Sequence, residues 1–306
     1  MAKAIAADGP VIELNSDADA QALRDAAGGI EVLVLCAEGW SPGRRLRYRK
    51  QIPHLTERVL EAARAARVRR LVHVSTADVF GSEHPAKITE KTDLKPTHAY
   101  QKLRLFEEEW LLENAGDDLE IVIVRPARVF GEGEDWILPR LMSAAVRGRV
   151  WLPYGGRARQ TFVHAEDVGR ACLAASDRGR HGHRYLVGGF EGSWAELLTS
   201  AARAVGFAAE IGSLPYDLFF LRALATETFT APGAPVWPGI YSVDVVGRPR
   251  SYDDSHSRRE LTWSPSIGSF EQEMRAMAGW LSHLPDVAAA LGEPHRNVEA
   301  TSPPGR

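Results

Sequence analysis

Tyr100 and Arg104 stand four residues apart in a stretch, residues 100–114, whose spacing predicts a helix, and a separation of four returns to the same helix face. A phenol beside a fixed guanidinium is a candidate acid–base pair. Bringing a tyrosine from a pKa of about 10 to near 7 takes roughly 4 kcal/mol. A unit positive charge about 4 Å away supplies about that much at an effective dielectric near 20. Lys102, two residues beyond Tyr100, points to another side of the helix. The spacing also admits plainer roles: Arg104 as an ion-pair partner of Glu107 or Glu108, and Tyr100 as a core residue between two lobes. Thr76 follows the apolar run at residues 70–74 and can equally serve as a strand-end cap. His164 and Asp167 have no ligand cluster around them, so no metal site is expected. Arg157 and Arg159 offer contacts to an anionic group. Trp136, Ile137 and Leu138, with Phe219, Phe220 and Leu221, offer apolar walls for a cleft, although the phenylalanine pair also fits ordinary core packing.

The chain that carries these residues has 306 amino acids, 44% of them hydrophobic, enough to bury a large core. A net charge of -3 gives no general field for nucleic acid or an anionic membrane. The basic run at residues 43–50 has no aromatic platform beside it and reads as a solvated helix start. Cys36 and Cys172 are too few for a disulfide framework, which points to a reducing cytoplasm, and Cys36 reads as inert packing. No run of about 18 apolar residues is present to span a membrane, and residues 1–8 do not form a secretory signal.

The elements that must position the site follow from pattern. Residues 11–14 form a short strand candidate and residues 17–27 a helix ending at Gly28-Gly29. Residues 31–36 are a continuous apolar run, the pattern of a strand covered on both faces. A helix over residues 51–66, a strand over 70–74, the helix over 100–114 and a strand over 119–124 complete an alternation that means a parallel α/β sheet. After about residue 150 come shorter strands, glycines and separated helices. Residues 185–189 read as a strand, Ser193 as the cap of the next helix, and a last helix reaches Trp280. Residues 285–306, ending in Thr301-Ser302-Pro303-Pro304-Gly305-Arg306, read as a disordered tail.

Three motifs occur in order: Ser75-Thr76-Ala77-Asp78-Val79-Phe80-Gly81, then Arg125-Pro126-Ala127-Arg128-Val129-Phe130-Gly131, then Thr161-Phe162-Val163-His164-Ala165-Glu166-Asp167-Val168. With Tyr100 between the first two, the series resembles the extended short-chain dehydrogenase/reductase superfamily, which includes NAD-dependent epimerases, dehydratases and 3β-hydroxysteroid-dehydrogenase-like proteins. The resemblance covers about residues 11–281. It implies a Rossmann-type sheet with a smaller C-terminal substrate lobe, and NAD(P) as cofactor. It also implies that Thr76 and Tyr100 bind the reacting oxygen, with Tyr100 transferring the proton. Arg104 then stands where the family has a lysine that touches the nicotinamide ribose. Ala37 and Pro126 fall at cofactor-facing positions, and Arg128 takes the place of an asparagine usual in sugar-nucleotide epimerases.

Aligned on Thr76, the family's glycine-rich first strand, which seats the nucleotide pyrophosphate, has no counterpart. Cys36-Ala37-Glu38-Gly39-Trp40-Ser41-Pro42-Gly43 has a similar outline, but its first glycine is Cys36 and its last is displaced by one. The expectation is therefore an α/β protein with a truncated Rossmann-type parallel sheet flanked by helices over residues 1–150. A smaller substrate lobe follows over 151–284, with some return to the core sheet. NAD(P) binding is expected to be weak or absent. Thr76, Tyr100 and Arg104 are the catalytic candidates and Arg128, Trp136 and Phe219 the substrate contacts, for non-redox acid–base chemistry on a small, largely apolar metabolite. Either the strand at residues 11–14 moves in to cover the apolar sheet edge, or a second copy of the chain covers it. An N-terminally shortened NAD(P)-dependent reductase or epimerase, and a non-catalytic metabolite- or partner-binding relative, are the alternatives.

Overall fold

The computed structural model describes residues 20–36, 44, 52–82 and 87–292. Its first half alternates as the apolar runs require: α1 (Ala20–Ala27), β1 (Val32–Leu35), α2 (His54–Ala65), β2 (Arg70–Val74), α3 (Ala99–Asn114) and β3 (Glu120–Pro126). The chain continues through β4 (Arg128–Phe130), α4 (Leu138–Val146), β5 (Arg149–Pro153), β6 (Gln160–His164), α5 (Ala165–Arg178) and β7 (Arg184–Val187). Next come β8 (Phe190–Gly192), α6 (Trp194–Ala204), β9 (Glu210–Leu214), α7 (Tyr216–Phe229) and α8 (Ile240–Gly247). The last elements are α9 (Ser255–Leu261), α10 (Phe270–Ala276), α11 (Ala278–Ser282) and α12 (Pro285–Leu291).

The main sheet has the order β1–β2–β3–β7 and every pairing in it is parallel. Alternate side chains of a strand face opposite sides. Leu71, Ile121 and Ile123 therefore pack with Leu23 of α1, Val59 and Leu60 of α2 and Leu111 of α3. Val72, Val74, Val122 and Val124 pack on the other side with Val168, Ala171 and Cys172 of α5. Helices thus cover both faces, which is why Leu71, Val72 and Val74 of β2 and residues 121–124 of β3 are all buried. β7 returns from the second half of the chain to close the sheet beside β3.

β1 departs from the expectation of a strand covered on both faces. Val32, Leu33 and Val34 are only half-buried, and among the described residues no strand pairs beyond β1. The strand expected at residues 11–14 and the glycine-containing run at 37–43 lie outside the described residues, as do the basic positions 45–50.

The second lobe is built on a three-stranded sheet β4–β6–β8 and a two-stranded sheet β5–β9. An aromatic cluster of Phe130, Phe162, Trp194 and Phe270 holds it together, with the Phe162 and Phe270 rings 4.9 Å apart and nearly perpendicular. Ser193 caps α6 as its position implied, its Oγ accepting the Glu196 N–H at 3.2 Å.

Two sequence expectations are corrected here. The last helix breaks at Met277 into α10 and α11. Pro285–Leu291, assigned to a disordered tail, is the helix α12. Proline opens it, where a missing N–H costs nothing, and its Val287 is fully buried against the lobe. Residues 293–306 lie outside the described residues. No helix among those described is long and apolar enough to cross a membrane.

Candidate active site

Beyond β2 the chain turns sharply. Thr76 begins a short 3-10 turn, Ala77–Phe80, and its Oγ1 accepts the Asp78 N–H at 3.1 Å. Gly81 ends the turn at φ +88°, and a Cβ there would lie 2.0 Å from the Lys95 carbonyl oxygen, so only glycine fits. This turn packs against α3. At the start of α3 the Gln101 Oε1 accepts the N–H groups of Thr97 (2.8 Å) and His98 (3.1 Å), which fixes the entry of the helix and the placement of Tyr100 in its first turn.

Tyr100 is 7% exposed. Its ring centroid is 5.4 Å from that of Tyr241 on α8, which also lies 5.2 Å from His98 and stacks on Trp136 at 5.3 Å and 11°. The first turn of α3, α8 and the segment before α4 therefore meet at Tyr100, where Trp136 stacks on Tyr241.

Charge pins this junction from both sides. The Asp78 carboxylate receives Arg128 through two contacts at 3.2 Å, Arg250 at 2.7 Å, and the Tyr241 hydroxyl. Arg250 also donates to Ser82 Oγ at 2.5 Å. Burial opposes the ionised form of Asp78, but the two guanidiniums and the Tyr241 hydroxyl overcome it and hold the carboxyl well below its usual range. Burial and the Asp78 charge together push the Tyr241 hydroxyl well above its ordinary value. On the neighbouring turn of α8, Asp244 accepts His98 Nε2 at 2.6 Å, Arg248 Nε at 2.8 Å and the Tyr216 hydroxyl. Burial opposes its ionisation too, and the bonds from His98 and Tyr216 prevail, lowering the Asp244 pKa. The Tyr216 hydroxyl, partly buried and bonded to that carboxylate, is pushed up to about 12.

Arg104 is not turned toward Tyr100's outer surroundings. Its side chain is fully buried, and its Nη1 donates to Glu107 Oε2 at 2.5 Å while Nη2 donates to the Val74 carbonyl. Glu107 is equally buried and also accepts the Thr56 hydroxyl at 2.5 Å. The expectation of Arg104 as catalytic support or as a ribose contact gives way to the plainer one, an ion pair one helical turn long. His73 lies against the same pair, 3.8 Å from Glu107, with both ring nitrogens lacking a hydrogen-bond partner. Burial and the nearby Arg104 charge hold its pKa well below the usual imidazole value. Glu108 faces a second buried cation, Arg125, at 2.6 Å and 3.0 Å, and accepts Ser75 Oγ at 2.5 Å.

The remaining candidates scatter. Arg128, expected at the substrate, is committed to Asp78. Phe219 lies away from Tyr100, packed with Ala223 and Val243, because α7 runs on the far side of α8. Pro126 is buried at the end of β3, paired with Val187, and Ala37 lies outside the described residues. Arg159 pairs with exposed Glu196 at 2.8 Å, and Arg157 is exposed. His164 caps α5, accepting the Glu166 N–H at 3.4 Å, and Asp167 accepts the Ser266 N–H at 2.9 Å, which are local structural roles. Among the described residues no group of acidic, histidine or cysteine side chains could hold a metal ion.

Asp78, His98, Tyr241 and Asp244 were missed by sequence reasoning. Asp78 lies inside the first motif, two residues after Thr76, and His98 stands two residues before Tyr100, which was the available signal. Their partners on α8 are 163 and 146 residues distant, beyond any local pattern.

Residues 11–188 match the profile of the NAD dependent epimerase/dehydratase family. The chain is 31% identical over 221 residues to a 4-hydroxy-2-methyl-3-oxo-4-farnesyl-3,4-dihydroquinoline-1-oxide ketoreductase of Stigmatella aurantiaca, across 69% of this chain and 66% of that protein. It is 28% identical over 193 residues to human short-chain dehydrogenase/reductase family 42E member 1, across 56% of this chain and 49% of that protein. Its fold is similar to that of UDP-glucuronic acid 4-epimerase from Bacillus cereus in complex with UDP-glucuronic acid and NAD, with a TM-score of 0.64 at 20% identity, over 89% of this chain and 81% of that one. The chain spans about half to two-thirds of the length of these two curated relatives.

Proposed function

The chain belongs to the NAD-dependent epimerase/dehydratase family of the extended short-chain dehydrogenase/reductase superfamily, and from that membership we propose an acid–base enzyme acting on the carbonyl or hydroxyl group of a small, largely apolar metabolite. Thr76 and Tyr100 are its reacting pair. Thr76 Oγ1 spends a lone pair on the Asp78 N–H, which leaves its own proton to donate to a substrate oxygen. Tyr100 donates its proton to that oxygen, the neighbouring C–H loses its proton to solvent water, and the resulting enol can isomerise, dehydrate or close a ring. Beside Tyr241, the Asp78 cluster sets two guanidiniums against one carboxylate, an excess of positive charge that favours a developing oxyanion. Trp136 and Tyr241 give the site flat apolar walls.

The observation that carries this reading is the inward turn of Arg104. In the family, a lysine at this position touches the nicotinamide ribose, whereas Arg104 is wholly buried on Glu107 and Val74. With Arg104 held there, no hydride step is assigned to this site.

Deuterium exchange tests the proposal. In D2O without nicotinamide, a panel of small apolar ketones should gain deuterium next to the carbonyl, and Tyr100→Phe should abolish the gain while the protein stays folded. Exchange that survives Tyr100→Phe would end the assignment. A second reading, an NAD(P)-dependent ketoreductase, draws support from the 31% identity to the Stigmatella enzyme. It requires that the same ketones consume reduced nicotinamide in the presence of this chain.

A further inference from the structure

α8 has two working faces. Tyr241 and Asp244 look toward Tyr100, while Ser242, Val243 and Val246, on the opposite side of the helix, border a groove of about 240 Å3 between α4, β5 and α7. The floor is apolar: Leu141, Val150, Leu152, Phe219, Val243 and Val246. Its charged lining residues are three arginines, Arg140, Arg149 and Arg222, and no carboxylate among the described residues lines it. That local excess stands out in a chain whose net charge is -3.

The three cations are poorly neutralised. Arg140 donates from Nη1 to two backbone carbonyls, those of Asp135 (3.0 Å) and Trp136, which carry no formal charge. Its guanidinium lies 5.5 Å from the Trp237 ring centroid. Arg149 meets Glu210 through one exposed contact at 3.2 Å, a geometry worth little in water. Arg222 is exposed and its side chain has no hydrogen-bond or ion-pair partner among the described residues. An apolar floor with planar cationic forks at its rim is complementary to a molecule with a hydrocarbon body and a single carboxylate head, because a guanidinium fork matches the two carboxylate oxygens.

We propose that this groove is a binding site for an amphipathic carboxylate, separate from the Tyr100 site, with α8 between the two. The volume suits a body of about eight water-sized groups. A ligand seated here leans on Val243 and Val246, the back of the helix that covers Tyr100.

Octanoate and its neutral counterpart 1-octanol are the probes, titrated calorimetrically into the full chain. Octanoate should bind at least about five-fold tighter than 1-octanol, the effect of one unit charge at about 4 Å in water. Arg222→Gln should weaken octanoate by about the same factor and leave 1-octanol unchanged. Ala144→Trp, which fills the groove, should remove both at an unaltered melting temperature. Equal affinity for the two probes, or an octanoate affinity indifferent to Arg222→Gln, would overturn the proposal. So would binding that persists in a folded Ala144→Trp, which would place the ligand on the exposed leucines of α7, Leu218, Leu221 and Leu224. Should Ala144→Trp lower the melting temperature, Arg222→Gln decides alone, since its side chain holds no other group in place.

Discussion

Replacing Arg104 by methionine should destabilise the protein severely, and the size of the loss follows from what remains behind. Arg104 and Glu107 are both fully buried and 2.5 Å apart. Removing the guanidinium leaves the Glu107 carboxylate buried beside the Thr56 hydroxyl without the Arg104 cation. Breaking a buried pair from one side typically costs about 3 to 5 kcal/mol, because an uncompensated charge stays in the core. At roughly 2 °C per kcal/mol for a chain somewhat beyond 250 residues, the melting temperature should fall by about 6 to 10 °C. Replacing both partners by methionine removes the stranded charge, so Arg104→Met with Glu107→Met should recover at least about 2 kcal/mol of the summed single losses. Urea unfolding followed by tryptophan fluorescence measures all four proteins of the cycle. A loss below about 1 kcal/mol for Arg104→Met, or no recovery in the double variant, would show that the pair is not the structural unit described.

The acid limb of stability should carry the signature of His73. Its folded pKa is depressed, so below the unfolded value near 6.5 the unfolded chain takes up a proton that the folded chain refuses. Stability is complete above that pH and falls by up to about 1.4 kcal/mol per pH unit below it. His73→Leu should flatten the fall between pH 6.5 and 5 (roughly that window), with His164, also depressed, keeping its own share; an unchanged slope in thermal melts across that window would contradict the assignment. Gly81→Ala should cost at least about 2 kcal/mol, since an L side chain at φ +88° is strained and its Cβ would collide with the Lys95 carbonyl. A melting temperature equal to that of the parent protein would show that the turn carrying Thr76 is not built as described.

The sheet and its helices were legible because each rests on local pattern. Leu71, Val72 and Val74 give the strand Arg70–Val74 apolar residues on both faces, and Ser193 sits one residue before a periodic helix. Thr76 and Tyr100 were singled out through ordered motifs. What escaped is long-range and charged. Nothing near Asp78 announces that Arg250, 172 residues later, will meet it, and nothing near His98 announces Asp244. Arg104 was placed correctly on α3, but its direction depended on whether Glu107 was buried, which helical spacing alone does not decide. Phe219 misled because α7 is apolar around most of its surface, with Leu218 and Leu221 exposed and Phe219 buried, so no stripe marks its inner face. α12 was overlooked because it is short and adjoins a stretch rich in proline and polar residues.

A calorimetric titration of the 306-residue chain with NADH and NADPH tests the central claim most directly. With Arg104 turned into the core, the account predicts no saturable heat at submillimolar cofactor. Micromolar binding of either nucleotide would contradict it and would return hydride transfer to the Tyr100 site.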